Sequence, residues 1–157
     1  MNVCTAALSF VALAFVPISP AAADWQYVKW GMSKTAAIQA SKGEASLISS
    51  SAGVGCAYNS QIPFGIILKK TIGEFTFDVV FCAAGSDKVT SISLTPVPGT
   101  NLPTLKRALF SQYGQPVSTD GDDAIWADKK SGNTISFYTI AGVVGRVEYK
   151  QLGGVGL

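Results

Sequence analysis

The chain has 157 residues, 48% of them hydrophobic and 14% charged, with 12 Lys and Arg against 10 Asp and Glu, 3 Cys and no His. That length fits one domain, and a formal net charge of +2 is too small to mark a nucleic-acid partner. A chain without His has no Ser-His-Asp triad, no Cys-His dyad, no His zinc site and no imidazole switch.

In chain order, the first feature is an uncharged apolar run, AALSFVALAFVPI, over residues 6–18. Thirteen residues suit the core of a signal peptide and fall short of the roughly 20 that a membrane span needs. Pro17 and Pro20 break any helix, and Ala21, Ala22 and Ala23 are the small residues that signal peptidase reads. The expectation is a signal peptide over 1–23, cleaved before Asp24, and a single soluble domain over 24–157; the alternative is an uncleaved N-terminal anchor. The segment before the apolar run lacks Lys and Arg, which is atypical. Such a domain is periplasmic or secreted and has no stable membrane span after cleavage.

The cut changes the cysteine count. Cys4 leaves with the signal, and Cys56 and Cys82 remain. An even pair in an oxidising compartment predicts a structural disulfide. A redox pair usually shows C-x-x-C and a nucleophilic thiol needs a neighbouring base; neither is visible.

Residues 25–30 (WQYVKW) read as a first strand. Ser33 is a helix N-cap for residues 34–42, and Gly43 closes that helix. A short strand over 45–49 and a small-residue loop over 50–55 follow. Residues 64–72 and 74–83 flank Gly73 as the arms of a hairpin. In the second arm Phe75, Phe77, Val79 and Phe81 alternate onto one face, opposite Thr76, Asp78, Val80 and Cys82. Another strand covers 89–95. Leu102, Leu105, Leu109 and Tyr113 then recur at helical spacing, with Thr100 or Asn101 as cap, Pro103 in the first turn and Gly114 as the stop. Strands over 124–128, 134–140 and 143–150 complete the pattern. The tail from Gly153 is Gly-rich and expected to fray. The order predicts one α+β domain: an antiparallel sheet with two helices packed on one face.

No catalytic, cofactor or metal motif emerges. Asp120, Asp122 and Asp123 lack the alternating oxygen ligands of a calcium loop and read as a solvated turn. Lys69-Lys70 and Lys106-Arg107 are isolated doublets and make no basic stripe. Lys129-Lys130-Ser131-Gly132 has no Ser-x-x-Lys companion, so its likeness to penicillin-recognising enzymes is chance. Glu74 and Glu148 lie on separate segments, and nothing in the sequence brings them together. Trp25, Tyr27 and Trp30 have two readings: core packing, which a chain this small needs, or a candidate interaction surface.

Trp30-Gly31-Met32-Ser33 opening a helix, then Leu102, Leu105, Leu109, Tyr113, Gly114 and Pro116, then Trp126 in the next strand, resemble small exported bacterial proteins of uncharacterised families. They also resemble, distantly, the BamE/SmpA and β-lactamase-inhibitor-protein-like α+β group. The resemblance covers about residues 30–42 and 102–126. The lipid-anchoring Cys of BamE-type proteins is missing and the hairpin region with Cys56 and Cys82 has no counterpart, so no functional residue carries over.

The expected function is therefore a non-enzymatic exported domain that meets another envelope or secreted protein, with inhibition of a secreted enzyme as one form of that role. One alternative is a small-ligand carrier with a sheet-to-helix cleft. Another is a hydrolase built on groups such as Asp78 or Lys69, which requires two of them to converge in a pocket.

Overall fold

The computed structural model describes residues 24–48, 55–56, 61–85, 87–140 and 144–153. The expected signal peptide, most of the 50–55 loop, the turn at 141–142 and the end of the tail lie outside the described residues. The elements in chain order are β1 (Asp24–Trp25), β2 (Val28–Lys29), α1 (Lys34–Ala40), β3 (Ser46–Leu47), β4 (Gln61–Ile72), β5 (Phe75–Ala84), β6 (Val89–Pro96), α2 (Leu102–Tyr113), β7 (Ser118–Asp120), β8 (Asp123–Asp128), β9 (Asn133–Ile140) and β10 (Val144–Gln151).

The predicted first strand is in fact a tight hairpin. Asp24 pairs Lys29 and Trp25 pairs Val28 around Gln26, whose φ of 53° is the left-handed conformation such a turn needs. Ser33 caps α1, its hydroxyl accepting from the amide of Ala36 at 3.2 Å. Asn101 caps α2 in the same way, accepting from Thr104 at 2.9 Å. Gly114 stops α2 with φ 77°.

Eight strands form one antiparallel sheet in the order β3-β4-β5-β6-β10-β9-β8-β7. Each half of the chain supplies a helix followed by a four-strand meander, and the halves meet where β6 pairs β10. β7, which the sequence reading missed, is an exposed polar strand of three residues, Ser118–Asp120.

The α+β expectation is corrected by this architecture. The protein is mostly β: among the described residues, 53% are strand and 17% helix. The reason lies in segment lengths. β4 runs for 12 residues and β5 for 10, whereas α1 has 7. So short a helix depends on docking and cannot build a layer of its own. Ala37 is the one buried residue of α1, and Leu105 and Leu109 are those of α2.

The core is one face of the sheet. Cross-strand pairing stacks Val79, Leu94, Val147, Phe137 and Ala124 in one row, and Phe81, Ile92, Tyr149, Ile135 and Trp126 in the next. Trp126 is sealed at 1% exposure. Its indole Nε1 donates to the carbonyl of Gly114 at 2.9 Å, and its ring meets Phe110 edge-on at 5.4 Å. Among the described residues no helix is long and apolar enough to cross a membrane.

Candidate functional site

Trp25 lies in the core at 5% exposure, edge-on to Phe81 at 6.1 Å and to Tyr27 at 6.3 Å. Tyr27 is half-buried and its hydroxyl donates to Glu44 Oε2 at 3.1 Å. Burial pushes that phenol's pKa up, and the Glu44 hydrogen bond and charge add to the shift. Trp30 is half-buried and its Nε1 donates to Asn133 Oδ1 at 2.8 Å. The three rings of the predicted surface thus do not share one exposed face.

The groups weighed for hydrolysis do not converge. Lys69 meets Asp78 through its backbone amide, which donates to Asp78 Oδ1 at 3.0 Å, and Lys69 has φ 53°. This contact closes a β-bulge, marked by the register shift between Ile67 and Lys70. Glu74 is exposed in the β4–β5 turn, while Glu148 is buried in the middle of β10. Asp120 ends β7 and Asp122 lies in the β7–β8 turn, both exposed. Asp123 Oδ1 instead accepts from the amide of Thr139 at 2.8 Å.

Two regions stand out. The first is the β3–β4 edge. β3 pairs only with Gly65 and Ile66, and the amide of Ile48 adds one bond to Phe64. Beyond Ile66 no described strand covers the outer side of β4. Leu47 (67% exposed) and Leu68 (66%) stand at this edge, with Ile62 (58%) farther back on β4. The bulge presents exposed Lys69 beside them. Lys70 is held by Glu44 at 2.8 Å, and this ion pair lowers the Glu44 pKa. The other edge, β7, has one exposed large apolar neighbour, Val117, next to Ser118–Asp120.

The second region is the face of the sheet opposite the core. Register places Cys82, Ser91 and Lys150 in one row, and Val80, Ser93, Glu148 and Ser136 in the next. Such polar residues, alternating with core residues, read as a solvent face. They are nevertheless sealed: Ser91 and Ser93 are 0% exposed and Glu148 is 1%. The disulfide joins Cys56 to Cys82, with Cα atoms 6.0 Å apart, and brings Cys56 across this face. Arg146 Nη1 donates to the Cys56 carbonyl at 3.1 Å and pins it a second time. Lys150 Nζ stands 3.1 Å from Glu148 Oε2. Burial drives the Glu148 pKa up, and Lys150 opposes that shift. The sequence reading overlooked Glu148 as a buried group. The usable signal was Cys82, whose place on the polar face of β5 obliges its partner to cross that face.

A cleft between α2 and the sheet encloses about 60 Å³, lined mainly by Phe75, Phe77, Leu105, Leu109 and Val147. That is below the roughly 300–1,000 Å³ of ligand pockets; open clefts of about 310 Å³ beside Tyr113 and Asp128 and about 330 Å³ beside Phe75 and Thr104 reach the lower end of that range. The disulfide is the mark of an oxidising compartment. The chain matches no family model, no curated protein and no solved structure.

Proposed function

We propose that this is an exported, non-enzymatic interaction domain of the periplasm or the secreted fraction, released by cleavage of a signal peptide over 1–23. It docks another envelope or secreted protein on its β3–β4 edge. The observation that carries this reading is the exposure of Leu47 and Leu68 on the two outermost strands, next to a length of β4 with no described outer partner. A sheet edge offers main-chain hydrogen bonds to an added strand, and flanking apolar side chains supply its anchors. The occupant is an extended segment of the partner, apolar at alternate positions and bearing a carboxylate for Lys69. The opposite edge supports docking less well, because Val117 stands there beside polar residues.

A photo-crosslinking residue at Leu68, with a control at Val117, tests this in the cells that make the protein. The expected result is one identified partner crosslinked at Leu68, recovered also from the partner's side, and lost in Leu47→Asp. An adduct at Val117 with none at Leu68 overturns the reading, as does the absence of adducts at both.

A further inference from the structure

The docking edge is irregular beside Leu68. Ile67 pairs Val79 and Lys70 pairs Phe77, so two residues of β4, Leu68 and Lys69, stand opposite the single Asp78 of β5. The extra residue resets the alternation of side chains. Lys70 falls on the same side as Ile67, because their partners Phe77 and Val79 both face the core. There Glu44 holds it at 2.8 Å. Lys69 stays exposed at the bulge, and among the described residues its ammonium has no ion-pair partner.

The bulge is kept against a local preference. Lys69 has φ 53°, in the left-handed region that glycine enters freely and other residues enter at a cost. The carboxylate opposite it, Asp78, makes no ion pair with the Lys69 ammonium. Asp78 Oδ1 accepts from the Lys69 backbone amide at 3.0 Å instead. Asp78 thus clamps the backbone of the bulge and leaves the charge free. Resting on the docking edge, we propose that Lys69 is its charge-selecting residue and that Asp78 is the residue that positions it. A partner strand laid along β4 meets the Lys69 ammonium beside Leu68, and a carboxylate at that register forms a charge-assisted contact. A strand with Lys or Arg at the same register is repelled. In an unbulged β4, two-residue alternation from Ile67 would carry residue 69 to the core side, and this selection would be lost.

The full chain and the partner captured at Leu68 serve for the test, with affinity measured at stepped ionic strength and stability by urea midpoint. Lys69→Gly is expected to keep or raise the midpoint, since glycine suits the bulge. It should nevertheless weaken binding about tenfold, the measure of one charge-assisted contact, and flatten its salt dependence. Lys69→Arg keeps the affinity. Asp78→Asn retains the acceptor and binds as the wild type does, whereas Asp78→Ala binds as weakly as Lys69→Gly. Unchanged affinity or salt dependence in Lys69→Gly overturns the charge-selecting role. A lowered midpoint in that variant also overturns it, since Lys69 would then be structural. Wild-type affinity in Asp78→Ala, or weakened affinity in Asp78→Asn, overturns the positioning role. If no partner is captured at Leu68, the docking edge itself fails, and the selection falls with it.

Discussion

Removing the Cys56–Cys82 bridge tests how the second face of the sheet is held. The bridge closes a loop with a sequence separation of 26. On the chain-entropy model such a loop stabilises the fold by about 3.5 kcal/mol at 25 °C. For a domain of this length that corresponds to a fall in Tm of roughly 12 °C. Residual structure in the unfolded chain lowers the gain, so about 3.5 kcal/mol is an upper figure. The perturbation is Cys56→Ala with Cys82→Ala, because Ser at the fully buried position 82 would add a buried hydroxyl. Thermal and urea unfolding are measured for the variant and for the wild type with and without a dithiol reductant. The reduced wild type keeps both sulfur atoms, so it separates the loop effect from lost packing. The two are expected to unfold at nearly the same point, well below the oxidised protein. A loss under about 1 kcal/mol in both would refute the reasoning, since it would mean the bridge scarcely restricts the unfolded chain.

Three further outcomes are expected. The Glu148 pKa lies above its ordinary 4.5 through burial, so the folded state holds more protons than the unfolded one from that pH upward. Stability therefore falls as pH rises through the window between 4.5 and the raised value, by at most about 1.4 kcal/mol per pH unit. Urea midpoints at stepped pH should show this slope in the wild type and lose it in Glu148→Gln. Gly65→Ala places a Cβ 2.8 Å from Ile38 Cδ1 and 3.0 Å from Phe81 Cδ2. Phe81 is wedged between Trp25 and Phe64 and cannot retreat. The cost should be about 1–3 kcal/mol in denaturant unfolding, and Ile38→Val should recover part of it. Asn101→Ala removes the cap on Thr104 and should cost about 1 kcal/mol by the same assay.

Much of this fold was legible because its elements follow simple periods. Phe77, Val79 and Phe81 alternate in β5 and face the core, and Leu105 and Leu109 mark the buried stripe of α2. Both N-caps, Ser33 and Asn101, announce themselves by residue type. The balance of strand to helix was less legible, since a capped seven-residue segment signals a helix without showing how little it contributes. Residues 25–30 read as one strand because aromatic and β-branched content does not reveal a left-handed Gln26. Ser118–Asp120 is too short and too polar to register as a strand; its pairing with β8 comes from the sheet. The candidate sites were the least legible. Exposure of Leu68 depends on where β3 ends, and Glu148 is buried on a face whose alternation reads as polar. Neither leaves a local pattern, although Cys82 among polar neighbours was a usable hint.

Hydrogen–deuterium exchange with and without the crosslinked partner tests the docking edge most directly. Amides of residues 66–72 in β4 should become protected on binding, while those of β7 stay unchanged. Protection at β7, or an unaltered β4 in a complex that demonstrably forms, would contradict it.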